Sequence, residues 1–244
     1  MSKLPSSHPR HLSLTQRHRL ETGVKKGMTH KQGLIAHGRG EAFDYLLGER
    51  THAFSRRACE AAAALLLIAK KPAISVNGNV AALCPKEIVA LGKATGSKIE
   101  VNLFYRTRAR EKAIAKELAK YGAQVLGVSP DSRIKGLASE RGKVSSCGIG
   151  SADVVLVPLE DGDRAGALKK AGKKVIAIDL NPLSRTARTG TITIVDNVTR
   201  ALPLMASFAK KLRKRTPSEL ARIVKSFDNK SALREAEREI RKGL

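Results

Sequence analysis

One histidine and one arginine stand among glycines in residues 33–45, Gly33-Leu34-Ile35-Ala36-His37-Gly38-Arg39-Gly40-Glu41-Ala42-Phe43-Asp44-Tyr45. Glycine permits sharp turns and close backbone approach, so the spacing predicts a bend that presents His37 and Arg39 to a ligand. Residues 41–47 read as a helix start whose N–H groups would face phosphate. A plain loop between two helices is the simpler reading of the same segment. All six histidines fall within residues 8–52 and none has HExxH spacing, which disfavours zinc. Beside phosphates, His37 would donate a hydrogen bond or shuttle a proton.

Polar and arginine-bearing clusters recur further along: Asn77-Gly78-Asn79, Phe104-Tyr105-Arg106-Thr107, Glu160-Asp161-Gly162-Asp163-Arg164, Asp179-Leu180-Asn181-Pro182-Leu183-Ser184-Arg185-Thr186 and Asp196-Asn197. Each has a structural alternative. Asn77-Gly78 is a common turn, Asp179 and Asp196 suit helix caps, and Glu160, Asp161 and Asp163 are either oxygen ligands for Mg2+ or solvated acids. The chain has no G-x-G-x-x-G for a dinucleotide, no G-x-x-x-x-G-K-[ST] and no G-x-S-x-G. Cys59, Cys84 and Cys147 lie far apart without a CxxC pair or a histidine signature. Neither a disulfide framework, a zinc ribbon nor a thiol nucleophile is indicated.

The later clusters share a position. From residue 72, β-branched runs alternate with helical patterns roughly every 20–30 residues, as in a parallel α/β sheet. Strands are expected at 73–76, 98–103, 124–128, 153–157, 174–178 and 191–195, and five clusters follow the first, second, fourth, fifth and sixth of them. Ligands of an open parallel sheet bind outside the carboxyl ends of its strands, so these loops converge on one edge. Helices are expected at 86–95 after Pro85, at 108–121 before Gly122, and at 163–170 before Gly172. Residues 56–70 contain AAAALLLI, apolar on nearly every face, and read as a buried helix too short for a bilayer. Amphipathic helices are expected at 199–213, 217–227 and 230 to the end. The expected fold is one α/β domain over 1–244: a helical segment 1–71 contributing to the site, a Rossmann-like core 72–198 with right-handed crossovers, and basic helices 199–244.

The 244 residues are 42% hydrophobic and 28% charged, a globular composition, and no apolar run approaches the ~18 residues of a membrane span. Met1-Ser2-Lys3-Leu4-Pro5 passes directly into polar residues, so no secretory signal and a cytoplasmic setting are expected. The unusual quantity is charge: 46 Lys and Arg against 22 Asp and Glu leave +24, a field that attracts polyanions or phosphorylated small molecules. Seven basic residues against one acid in 1–31, and twelve against five in 210–244, place more than half of it at the termini as solvated helical faces. A basic nucleic-acid-binding protein with a Rossmann-like body is the alternative reading. An aromatic content of 3% without Trp argues against base stacking.

Taken in order, GLIAHGRGEAFDYLLGE (33–49), VNGNVAAL (76–83), NLFYRT (102–107), VPLEDGDR (157–164), DLNPLSRTAR (179–188) and TIVDN (193–197), with Ser7-His8-Pro9-Arg10 near the start, resemble the archaeal phosphopantothenate synthetases. The resemblance covers residues 5–205 and is weakest beyond 210. It implies a Rossmann-like homodimer that condenses 4-phosphopantoate with beta-alanine to 4′-phosphopantothenate in coenzyme A synthesis. ATP, with Mg2+, would become AMP and diphosphate. It further implies ATP contacts from Arg17, Arg39, Asp179, Leu180, Asn181, Arg185, Thr186, Asn197 and Val198, with the N-terminal helices folded over the nucleotide. Such a reaction brings anions together, so guanidinium forks at Arg17, Arg39, Arg185 and Arg106 would offset their charge. Asn77 and Asn79 would contact substrate, and His37 or an acid such as Asp161 would take the proton from the beta-alanine amine. Neither a membrane nor nucleic acid is an expected partner.

Overall fold

The computed structural model describes residue 5 and residues 7–242. Residues 1–4, Ser6 and residues 243–244 lie outside it, and with them the chain start read above for a leader and the end of the expected last helix. Three helices precede the sheet: α1 (His11–Lys25), α2 (Lys31–Leu46) and α3 (Ala53–Ile68). Then follow β1 (Pro72–Val76), α4 (Gly78–Leu83), α5 (Pro85–Thr95), β2 (Lys98–Val101), α6 (Arg108–Ala119) and β3 (Val125–Leu126). A short hairpin, β4 (Ser132–Arg133) and β5 (Lys143–Val144), interrupts the alternation before β6 (Val154–Pro158), α7 (Gly162–Lys170), β7 (Lys174–Ile178), α8 (Arg185–Thr189) and β8 (Ile192–Ile194). Helices α9 (Val198–Leu212), α10 (Pro217–Ser226) and α11 (Asn229–Lys242) complete the described chain. None of its helices is long and apolar enough to cross a membrane.

Six strands pair in parallel in the order β3-β2-β1-β6-β7-β8, the expected α/β sheet with Rossmann order. Strand alternation divides the core. Ile74, Val76, Val101, Leu156, Ile176 and Ile178 face the side covered by α3, α5 and α9. Ala73, Val155, Val157, Val175 and Ala177 face α7 and the hairpin. A third cluster ties Leu47 and Phe54 to Leu180, Val195 and the α11 alanines Ala232 and Ala236.

Local signals account for most helix ends. Pro85 opens α5 and Gly96 closes it at φ +68°, while Thr216 and Glu219 form a reciprocal capping box on α10. Three expectations fail. Residues 33–45 do not bend: they lie in the continuous helix α2, whose N-cap His30 accepts from the Gln32 N–H through Nδ1 at 3.2 Å. Gly33 serves close packing instead, since a Cβ there would sit 2.4 Å from Asn79 Oδ1. Asn77-Gly78 is not a turn, because Asn77 Oδ1 accepts from the N–H groups of Asn79 and Val80, each at 3.1 Å, and starts α4. The strand expected at 124–128 contracts to β3 because Gly127, at φ +91°, lies so close to Val101 O that a Cβ would come within 2.2 Å.

Candidate active site

A cavity of about 600 Å3 opens over the carboxyl ends of β1, β6, β7 and β8, at the β1–β6 boundary where strand order reverses. Twelve of the fourteen expected site residues line it: His37, Arg39, Asn77, Asn79, Asp161, Asp179, Leu180, Asn181, Arg185, Thr186, Asn197 and Val198. Helix α2 forms one wall. Its half-buried His37 carries a buried Nε2 without a hydrogen-bond partner among the described residues. Burial pushes this imidazole below its ordinary pKa and the Arg17 cation adds to that, against the opposing fields of Glu41 and Asp44. Neutral His37 is therefore the form at physiological pH.

Several expected contacts prove to be scaffold. Asn77 donates through Nδ2 to Pro158 O and Leu159 O, each at 3.0 Å, while its Oδ1 caps α4, so its side chain is fully committed within the chain. The bond holds Leu159 in a left-handed conformation, φ +53°, and so aims the loop after β6. Asn79 ties α4 to α2 by donating to Gly33 O at 2.8 Å. Asn197 is likewise engaged: Oδ1 caps α9 through Thr199 N–H at 3.1 Å, and Nδ2 donates to Gln16 Oε1 and Asp44 Oδ2 at 3.1 and 2.8 Å. What borders the cavity there is the N-terminus of a fifteen-residue helix.

The loop after β7 is built by Asp179. Its Oδ1 accepts from Asn181 N–H at 3.0 Å and its Oδ2 from Ser184 Oγ at 2.5 Å, and Ser184 in turn caps α8. Burial pushes the Asp179 carboxyl above its usual range, against the lowering effect of Ser184, Asn181 and the Arg39 charge. Arg185 is exposed and donates to Asp163 Oδ1 at 2.9 Å, and Thr186 hydroxyl donates to Glu160 O at 2.8 Å.

Glu160 is neither a metal ligand in waiting nor a solvated acid. Its side chain is 1% exposed, bridging Arg141 Nη1 at 2.5 Å and the fully buried Arg164, which also donates to Ser75 Oγ at 2.8 Å. Neighbouring Asp161 lies 3.4 Å from Arg141 Nε, and burial pushes its carboxyl up. Among the described residues no three His, Cys, Asp or Glu side chains group to hold a metal.

Two expected residues stand elsewhere. Arg17 lies behind the wall, paired with Glu41. Arg106 faces a separate shallow hollow with Glu140 and Lys143, its Nε 3.1 Å from Glu111 Oε1. In its place the cavity receives Arg110 and Arg141, with His30, Gln32, Phe104 and Tyr105. Arg110 was within reach of sequence reasoning, one helical turn past Thr107, whose Oγ1 accepts the Arg110 N–H at 3.3 Å as the cap of α6. Arg141 lies in the hairpin segment, which has no periodic pattern to mark it.

A Rossmann-ordered sheet with guanidinium groups and carboxylates gathered at its switch point defines an α/β protein built to bind anionic ligands. The chain belongs to the phosphopantothenate/pantothenate synthetase family, whose model matches residues 54–243. It is 56% identical to the 4-phosphopantoate–beta-alanine ligase of Thermococcus onnurineus over 100% of this chain and 94% of that protein. Its identity to the like-named protein of Thermococcus kodakarensis is 56%, over 96% and 90% of the two chains. The corresponding figures for Methanosarcina mazei are 54%, 100% and 96%. Similarity thus runs through the basic C-terminal helices, beyond the limit near residue 205 expected above.

Proposed function

We propose that this protein is an ATP-dependent ligase that joins 4-phosphopantoate to beta-alanine, releasing AMP and diphosphate through an acyl adenylate. The observation that carries this reading is the cavity in which the expected nucleotide residues other than Arg17 meet a second set of cations at the switch point. ATP lies over the β7–β8 half, against Asp179–Asn181, Arg185, Thr186 and the first N–H groups of α9, with Arg39 above and Arg17 behind Glu41. The carboxylate of 4-phosphopantoate attacks the α-phosphorus and diphosphate leaves. The beta-alanine amine then attacks the acyl carbon, the C–N bond forms, the C–O bond to AMP breaks, and neutral His37 takes the amine proton. Guanidinium groups stabilise charge that grows in both steps. Holding three reactants together supplies a further share of the rate. Mg2+ would supply charge neutralisation for the ATP phosphates, with Asp161 and Asp163 after β6 as the carboxylates to hold it.

AMP release tests the reading: ATP, beta-alanine and 4-phosphopantoate are incubated together and with each omitted. AMP only in the full mixture is expected; its absence in every mixture refutes the ligase, and ADP points to an acyl phosphate. Transfer of 18O from the substrate carboxylate into AMP marks the adenylate. The reaction takes place in the cytoplasm, in a homodimer. Exposed Leu34, Ile35, Tyr45 and Leu46 on α2 offer the apolar surface such a dimer needs. Light scattering that returns a mass of 26.3 kDa, one chain, overturns the dimer.

A further inference from the structure

The cavity occupies the carboxyl edge of the sheet, and much of the charge it does not use lies at the opposite edge. Lys98 and Lys174 are the first residues of β2 and β7, and Lys70 and Lys71 lead into β1. Pairing sets Lys98 beside Ala73, Pro72 beside Val154, and Val154 beside Lys174, so the two strand-opening lysines stand within one residue of level across four adjacent strands. At the usual strand spacing they are about 14 Å apart. Helices α5, α6, α7 and α9 run back from the cavity edge and carry lysine in their last turns: Lys93, Lys116, Lys169 and Lys170, Lys210 and Lys211. Beyond α9 the chain adds Arg213, Lys214 and Arg215.

The acids at this edge are engaged. Asp153 accepts the N–H groups of Lys70 and Lys71 at 2.8 and 2.9 Å, Glu117 pairs with Lys120 and Lys26, and Glu219 with Arg215. Among the described residues no carboxylate pairs with Lys70, Lys71, Lys98, Lys174, Lys210 or Lys211. Lys93, Lys98 and Lys169 donate to Tyr121 O, Cys147 O and Thr189 O at 3.0, 2.8 and 3.1 Å, which fixes their ammonium groups without cancelling the charge. Glu41, Glu160, Asp161 and Asp179 line the cavity instead, so the molecule is polarised from one edge to the other. The helix dipole favours a cation in a last turn, but it does not account for Lys98 and Lys174 at strand starts or for Lys214 beyond α9. Catalysis does not account for them either, since a five-residue strand holds this edge about 15 Å from the cavity.

We propose that this edge docks double-stranded nucleic acid by its phosphate backbone, without reading sequence. It is independent of the ligase reading above. Phosphates repeat along a duplex at a spacing a broad cationic surface can follow, and neutralising them releases condensed counterions. The residue types define the mode of contact. Lysine brings a hydrated point charge, whereas the two-pronged arginine fork is what reads a base edge. Of the exposed large apolar side chains among the described residues, only Tyr121, just past α6, stands at this edge. One ring is too little to stack the bases of a single strand or to anchor a membrane surface.

The test is fluorescence anisotropy of a labelled DNA duplex of about 20 base pairs and mixed sequence, titrated with the full chain between about 50 and 200 mM salt. A Kd of about 1–100 μM near physiological salt, weakening with salt as expected for at least about four phosphate contacts, is the predicted result. Lys70→Gln, Lys71→Gln, Lys210→Gln and Lys211→Gln combined should weaken binding at least about tenfold and lower the log–log salt slope by about 2–4. Arg50→Gln, Arg238→Gln, Arg241→Gln and Lys242→Gln combined, an equal change of charge away from this edge, should alter Kd by less than about threefold. Equal losses in the two variants mean that net charge alone attracts the duplex, and overturn the surface. If the first variant does not fold, protection of wild-type lysines from reductive methylation by the duplex replaces it: protection concentrated at this edge supports the surface, and even protection over the protein overturns it. Single-stranded DNA bound as tightly as the duplex, phosphatidylserine vesicles bound in preference to it, or no binding even at the lowest salt also overturns the proposal.

Discussion

The guanidinium of Arg17 clamps the carboxylate of Glu41, Nε to Oε2 at 3.1 Å and Nη2 to Oε1 at 2.9 Å. Helix α1 is thus fastened to the cavity wall, and Tyr45 hydroxyl completes the arrangement by donating to Oε1 at 2.5 Å. Burial would raise the Glu41 carboxyl, but the bonds from Tyr45 and Arg17 outweigh it and hold the group below its usual range. Any anion that uses Arg17 must share it with Glu41.

Glu41→Gln should therefore lower KM for ATP, since it releases Arg17 and removes a negative charge from the wall. Because Arg17 is half exposed, the lost pair should cost only about 1 kcal/mol, a fall of roughly 2–4 °C in Tm. An unchanged or raised KM would mean that Arg17 does not act on ATP.

Arg39 is exposed on α2 and lines the cavity beside half-buried Asp179. Arg39→Lys keeps the charge but loses the two-pronged donor, so KM for ATP should rise about tenfold with Tm unchanged. Wild-type kinetics would show that Arg39 makes no bidentate contact.

His37 has a folded pKa below its ordinary 6.5, chiefly through burial. As the group that accepts the amine proton, it should give kcat/KM an acid limb centred below pH 6.5. His37→Gln should abolish the limb and lower kcat about 10²–10⁴-fold. Stability carries the same sign. The unfolded chain takes up the proton first as pH falls, so the native state loses stability from 6.5 down to the lower folded pKa, a dependence the variant should lack. A limb that persists in His37→Gln assigns the proton to another group.

Glu160→Gln leaves Arg164 and Arg141 without their shared buried counter-charge. Breaking such a network should cost about 3–5 kcal/mol, or roughly 10 °C in Tm, read by thermal unfolding. A loss below about 1 kcal/mol would mean that the arginines find other partners.

The parallel sheet and its reactive edge were legible because their signals are local. Alternating Val and Ile mark strands, Pro85 and Thr216 mark helix starts, and loops past parallel strands share one edge whatever their partners. Roles within that edge were less legible. Asn77 reads as turn or ligand until its amide meets Pro158 and Leu159, 81 and 82 residues away, and its Oδ1 starts α4. The C-terminal helices, strongly basic by count, also dock: the α11 acids Glu235 and Glu239 meet Arg57 at 2.6 Å and Arg50 at 3.4 Å, while its alanines pack toward Leu180.

Sequence alone determined the strands, the family motifs and the set of loops from which a phosphate-handling site would be assembled. Tertiary structure decided which arginines enter it. Arg106 and Arg110 stand four residues apart with the same chemistry, yet one turns to Glu111 and the other toward Met28 O and the cavity. The difference arises where α6 begins and in a carbonyl group 82 residues earlier in the chain. Arg141 is delivered by a hairpin that no periodicity announces. Side-chain type and local spacing state what a residue is able to bind, whereas the packing of distant backbone determines what it faces.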